Sequence, residues 1–295
     1  MVRILVTGAS GFLGSWLCRL AMDRGHTVAG TYYTAEPDIA LDRTLQHKLP
    51  AVPRNEVESF APDAIVHSAA LSGVELCETE PDMAVAVNVR GSQNMASLAA
   101  DVGADFTQVS TNFVFGGPSC APYIEEDATD PDQVYGETKL DAEKAVLSVH
   151  PEPLIVRVSD LYGPSLRPEE QGFVRWLVDS LQAGDTVSLV RDMYMSPTYV
   201  VSAAKEILSL LESERKGVYH RSGSSCVNRV EFGYVVADVF RLDTMSIEEC
   251  NAADIWNASR PYCTCLSSRR IGEALPLTYE SVAEGLTHAR ERFEN

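Results

Sequence analysis

The stretch "VRILVTGASGFLGSW", residues 2–16, sets three glycines, Gly8, Gly11 and Gly14, between an apolar strand-like run and a segment with helical spacing up to Arg24. A strand that passes straight into a helix through glycine has little choice of fold, and the rest of the first half repeats the theme. "HTVAGTYY" and "AIVHSAA" (64–70) read as strands. Asp82 to Val102 reads as a long helix, with Pro81 at its start, where a proline costs no hydrogen bond. "DFTQVST" (105–111) is a strand, 133–149 an amphipathic helix with Val134, Leu140, Ala145, Val146 and Leu147 as inward positions, and "PLIVRVS" (153–159) a strand. Strands alternating with helices of ten or more residues predict βαβ units and a parallel sheet, an α/β fold.

After about residue 160 the pattern loosens. Loops such as "YGPSLRPEEQG", "SGSSC" and "SRPYC" separate helices near 198–213, 267–274 and 278–293. With no repeat and no low-complexity linker, the expected division is a domain over 1–160 and a smaller α/β domain over 161–295. A segment near 197–213 returns to the first domain.

The net charge of −18, from 42 acidic and 24 basic residues of which five are lysines, repels nucleic acid and acidic membranes. It suits simple solubility or a high-salt setting, where self-repulsion is screened. No run of eighteen apolar residues is long enough to span a membrane, and the N-terminus lacks a signal-peptide core. Seven scattered cysteines (Cys18, Cys77, Cys120, Cys226, Cys250, Cys263, Cys265) suggest neither zinc nor a disulfide framework. A cytoplasmic location without a metal is expected.

The glycines stand where a phosphate-binding turn needs them: a tight turn, close backbone approach to a pyrophosphate, and a helix N-terminus facing its charge. The G-x-x-G-x-x-G spacing differs from the ordinary G-x-G-x-x-G, but the context predicts a dinucleotide site. Thr31 and Tyr32 occupy the end of the second strand, where an acid would hold the 2′-hydroxyl of NAD, and no arginine replaces that acid. This favours NADP(H) slightly over NAD(H).

Tyr135 and Lys139 lie four apart in the helix at 133–149, on one face. Residues 1–160 resemble an extended short-chain dehydrogenase/reductase, with a Rossmann-type doubly wound sheet. "VSTNFVFGG" (109–117), "PYIEEDATDPDQVYGETKLDAEKAV" (122–146), "RVSDLYG" (157–163), "SPTYV" (196–200) and "SRP" (259–261) are similar, in order, to the dTDP-4-dehydrorhamnose reductase branch. That branch also contains the regulatory subunit of methionine adenosyltransferase. A ketone accepts hydride when its oxygen receives a proton. A tyrosine can give that proton, and a lysine one turn away should lower its pKa. Thr111 would donate to the same oxygen.

The resemblance implies a cofactor site of Gly8, Ser10, Gly11, Phe12, Leu13, Gly14, Ala69, Ala70 and Leu71, joined by Tyr135 and Lys139, with Asp42 reaching the adenine. Asn88 would brace the active-site strand, and Arg157 would pair with a buried acid. Asn112, Asp192, Ser196, Tyr199 and Arg260 are candidates for gripping a nucleotide-sugar.

Asn112-Phe113 stands where the branch usually has Asp-Tyr, and "VFGG" replaces V-F-D-G. The related dehydratases place Asp-Glu after the threonine, and Asn112-Phe113 cannot do that acid–base work. The implied activity is NAD(P)H-dependent reduction of a 4-keto-6-deoxy sugar nucleotide. Alternatives are an NAD-dependent epimerase and a non-catalytic regulatory subunit. A homodimer is possible.

Overall fold

Apolar five- to seven-residue runs become strands when helices cover both their faces, and here they assemble into one sheet. The computed structural model describes residues 1–118, 121–167, 172–276 and 280–293. Cys120, part of the loop at 162–172 and the first two residues expected in the last helix lie outside them.

Seven strands form the central sheet: β1 (Arg3–Thr7), β2 (Thr27–Tyr32), β3 (Arg43–Gln46), β4 (Ala64–His67), β5 (Asp105–Thr111), β6 (Leu154–Val158) and β7 (Gly217–Arg221). Their order is β7-β6-β5-β4-β1-β2-β3, and every pairing is parallel. This is a Rossmann-type sheet whose order reverses at β1, so a crevice opens beyond the carboxyl ends of β1 and β4.

One face of the sheet packs Ile4, Val6 and Val66 against Trp16, Leu17 and Ala21 of helix α1 (Phe12–Asp23) and against Ala203, Ile207 and Leu210 of the helix Val200–Glu212. The other packs Leu5, Ile65 and Phe106 against Met95, Leu98 and Ala99 of the helix Gly91–Val102. Each fully buried valine, leucine, isoleucine, phenylalanine or methionine among them contributes about 1.5–3 kcal/mol. A separate cluster, including Leu177, Leu189, Phe232 and Leu286, forms the core of the smaller lobe.

Three features differ from the sequence reading. The segment returning from the second half extends beyond 213, because Gly217–Arg221 supplies the sheet's edge strand beside β6. The helix expected over 82–102 is interrupted by a π-helical stretch, Val85–Arg90. Cys226 and Cys265 are joined by a disulfide, which their separation of 39 residues hides in the sequence.

The helix at 133–149 also faces differently. It runs Val134–Val149 and buries Gly136, Thr138, Lys139, Ala142, Glu143 and Val146, while Leu147 is 54% exposed. Val146 is inward as expected and Val134, Leu140 and Ala145 are half-buried, but polar Thr138, Lys139 and Glu143 share the inward stripe, which an assignment built on apolar positions does not find.

Candidate active site

The turn after β1 is built by close approach. Gly8 has φ of +67°, a conformation costly for a side chain, and a Cβ there would lie 3.0 Å from Ala69 Cα. A Cβ on Gly14 would lie 2.0 Å from the Gly8 carbonyl oxygen. The Gly11 N–H donates to the Gly8 carbonyl at 2.9 Å. Gly11 caps α1 without a side-chain hydrogen bond, so the first N–H groups of the helix remain available to an anion.

A cavity of about 890 Å³ opens here. Gly8, Ser10, Gly11, Phe12, Leu13 and Gly14 line it, as do Ala69, Ala70, Leu71, Tyr135 and Lys139. The structure thus brings together every expected cofactor residue except Asp42. Asp42 Oδ2 accepts from the Val28 N–H at 2.8 Å, beside the first residues of β2, whereas the cavity lies at the carboxyl ends. Strand direction therefore carries Asp42 away from this cavity.

At its far end the cavity is lined by Thr31, Tyr32, Tyr33, Thr34, His47 and Lys48. Both ring nitrogens of His47 lack a hydrogen-bond partner, and burial lowers its pKa. Lys48 Nζ stands 5.3 Å from the centre of the Tyr33 ring. No carboxylate lines the cavity among the described residues. Uncapped helix amides, an unpartnered imidazole and a cation fit the phosphates of a dinucleotide.

Tyr135 is held where the start of its helix meets the turn after β5. Gln133 caps the helix: its Oε1 accepts from the Gly136 N–H at 2.7 Å, and its Nε2 donates to the Phe113 carbonyl at 3.2 Å. A Cβ on Gly136 would lie 2.1 Å from that carbonyl oxygen, so only glycine permits the approach. Burial lifts the pKa of the Tyr135 phenol to about 12, against a lowering pull from the Thr111 hydroxyl. Asp160 adds to the rise.

Lys139 Nζ donates to the Val109 carbonyl at 2.7 Å, and burial brings its pKa down to about 8 against an opposing pull from Glu143. The expected lowering of the phenol by Lys139 is not seen. The cost of burying a phenolate outweighs it while the ammonium is turned toward Val109.

Beneath these residues lies a buried network that the sequence reading missed in part. Arg157 donates from Nε and Nη2 to the two oxygens of Glu143, at 3.0 and 2.7 Å. Ser110 donates to the same carboxylate. The acid expected for Arg157 is thus Glu143, and its signal was its place four residues beyond Lys139, on the same helical face. Asn88 accepts from the Leu71 N–H at 2.8 Å and donates to Thr138 at 3.0 Å, tying the cavity wall to the tyrosine's helix.

The substrate candidates are spread out and engaged in structural bonds. Asn112 is buried; its Nδ2 donates to Thr264 Oγ1 at 2.7 Å, and its Oδ1 accepts from Thr111 at 3.2 Å. Asp192 accepts from the Ala252 N–H at 2.8 Å. The Ser196 N–H donates to Ser159 Oγ at 3.3 Å. Tyr199 is buried in the smaller lobe's core. Arg260 pairs with Glu75 at 3.0 Å and covers the Trp256 ring. Asp160, with φ of +23°, bridges Arg229 and Asn112 beside the phenol and had no signal in the sequence.

Residues 2–295 match the family model described as the RmlD substrate binding domain. The probable low-salt glycan biosynthesis reductase Agl14 of Haloferax volcanii is 32% identical over 98% of each chain. Subunit beta of methionine adenosyltransferase 2 from Mus musculus is 31% identical over 93% of this chain and 84% of its own. Among solved structures, a hypothetical dTDP-4-dehydrorhamnose reductase from Sulfolobus tokodaii has a TM-score of 0.85 at 29% identity, over 96% of this chain and 98% of that one. The dTDP-4-dehydrorhamnose reductase of Bacillus anthracis, in complex with NADP, has a TM-score of 0.84 at 25% identity over 99% of each chain. A match along nearly its whole length, on a Rossmann-type sheet with this glycine turn, shows that the chain belongs to the RmlD substrate binding domain family, among relatives that include dTDP-4-dehydrorhamnose reductases.

Proposed function

We propose that the protein reduces the ketone of a 4-keto-6-deoxy sugar nucleotide with NADPH. The observation that carries this reading is one cavity lined by the glycine turn, Ala69–Leu71, Tyr135 and Lys139, with the Thr111 hydroxyl on the phenol. The glycine turn and the start of α1 would hold the pyrophosphate, and Lys139 the nicotinamide ribose. When bound, the cofactor supplies hydride to the carbonyl carbon.

Tyr135 gives its proton to the carbonyl oxygen as charge develops there. A phenol with a pKa near 12 is fully protonated at neutral pH, so it is always ready as an acid. Thr111 donates to the same oxygen once its one hydroxyl proton turns from Asn112 Oδ1. Lys139, near 8, is mostly charged at neutral pH and favours the phenolate that remains once it turns from Val109. NADP(H) is the preferred cofactor in this reading: Lys48 and His47 line the cavity with no carboxylate among its described lining residues, and a 2′-phosphate favours a cation over a carboxylate.

The test follows nicotinamide absorbance with freshly generated dTDP-4-keto-6-deoxyhexose, using NADPH and NADH in separate runs. Wild type should oxidise NADPH faster than NADH, and Tyr135→Phe should bind cofactor without turnover. Equal turnover by Tyr135→Phe would refute the proton donor, and a preference for NADH would refute the cofactor choice. The 31% identity to a methionine adenosyltransferase subunit favours a second reading, a binding subunit. Retained cofactor binding with no turnover of any keto sugar supports it.

A further inference from the structure

Three sulfurs meet where the smaller lobe closes onto the active-site strand. Cys226 precedes the short strand Val227–Asn228, and Cys263 and Cys265 flank Thr264 in a return segment. Cys226 is bonded to Cys265, and Cys263 Sγ lies 3.9 Å from Cys226 Sγ. All three sulfurs fall within 4.8 Å of one another. Cys263 and Cys265 are buried, whereas Cys226 is partly accessible.

The return segment is wired to the catalytic end of β5. The Thr264 N–H donates to the Tyr194 carbonyl at 2.9 Å, and the Cys265 carbonyl accepts from the Tyr123 N–H at 2.8 Å. The Thr264 hydroxyl accepts from Asn112 at 2.7 Å, Asn112 accepts from Thr111, and Thr111 meets the Tyr135 phenol. A chain of hydrogen bonds thus joins the residue between two cysteines to Thr111, the hydroxyl that acts on the proposed proton donor.

We propose that Cys226, Cys263 and Cys265 form a thiol–disulfide exchange site that sets how Thr264 braces Asn112. In the exchange, the Cys263 thiolate attacks Cys226 Sγ. The Cys226–Cys263 bond forms as the Cys226–Cys265 bond breaks, and its electron pair leaves on Cys265, which takes up the proton Cys263 gave up. Two thiol oxidation levels are conserved, so no outside oxidant is needed. A small dithiol entering at accessible Cys226 reduces the pair, leaving Cys226 and Cys265 as thiols and itself as a cyclic disulfide. Because Cys226 is the shared partner, the bond can move by two residues, and each choice holds the backbone at Thr264 differently.

Disulfide mapping tests this without relying on the proposed reaction. In a Cys120→Ser background, Cys265→Ser treated with oxidised glutathione should lose two hydrogens in mass and give a Cys226–Cys263 crosslinked peptide. Cys263→Ser should keep the Cys226–Cys265 link, and Cys226→Ser should form neither. Hydrogen exchange at Asn112 and Phe113 should differ between dithiothreitol-reduced and oxidised protein, and should not differ in Cys226→Ser. Alkylation of both Cys226 and Cys263 in oxidised Cys265→Ser, in folded protein, would overturn the exchange. Identical exchange at Asn112 in the two redox states would overturn the coupling. Stoichiometric zinc retained by the three thiolates would overturn it too, because three thiolate ligands leave no disulfide to exchange.

Discussion

Lys139 is 4% exposed, and burial lowers its pKa from 10.5 to about 8. The folded state therefore holds this proton less tightly than the unfolded chain. Below about pH 8 both states carry it, and folding bears the full cost of a buried ammonium. Between about pH 8 and 10.5 the unfolded chain binds more protons, so stability rises with pH. The gap of about 2.5, at ~1.36 kcal/mol for each factor of ten, amounts to about 3 kcal/mol, of which about 2 kcal/mol is recovered between about pH 7 and pH 9.5. With an unfolding entropy of ~2.1 cal/mol/K per residue over 295 residues, that corresponds to a Tm difference of about 3 °C. The assay is thermal unfolding by circular dichroism at both pH values for wild type and Lys139→Met, which keeps the packing and removes the charge. Cys18 and Tyr162, whose pKa values burial raises, destabilise the fold at high pH in both proteins and cancel in the comparison. Relative to the variant, wild type should gain those degrees on going to the higher pH. A constant difference, or a relative loss, would refute the claim that Lys139 is held as a poorly solvated ammonium.

Two further outcomes follow from the geometry around that lysine. Glu143→Gln leaves the Arg157 guanidinium buried without its carboxylate, and a broken buried pair costs about 3–5 kcal/mol; urea unfolding should show the loss, and a change below about 1 kcal/mol would mean the pair is not desolvated. Gly14→Ala sets a methyl against the Gly8 carbonyl and should weaken NADPH binding, followed by cofactor fluorescence, about tenfold or more in folded protein. Unchanged affinity would show that the cofactor does not use this turn.

Much of the central sheet was legible in the sequence because apolar runs and helical spacings have distinct periods. The glycine turn was legible for a different reason. Gly8 and Gly14 leave no room for a side chain, so the local sequence states the constraint directly. Elements whose stability comes from distant packing carried little signal. β3 has four residues, β7 joins the sheet only through its pairing with β6, and the helix Phe173–Ala183 depends on the smaller lobe's core. Asp42 was misplaced because a residue's position in the chain does not reveal which end of a neighbouring strand it will meet; pairing with Val28 fixes that.

The helix that carries Tyr135 follows the apolar rule only in part, for a reason tied to the proposed site. Lys139 and Glu143 occupy its inward face, and Arg157, Thr111 and Asn112 are buried around it, all at 5% exposure or less. Burying charged and hydroxylated groups is costly unless each finds a partner. Here Glu143 takes Arg157 and Ser110, Lys139 takes the Val109 carbonyl, and Asn112 takes Thr264. A core built only for stability would place leucine or valine there. The fold accepts the cost of desolvation at the carboxyl ends of β5 and β6, where proton transfer to a bound carbonyl needs charged groups out of water. The polar positions that hydropathy misses on this helix are therefore the ones that mark the proposed active site.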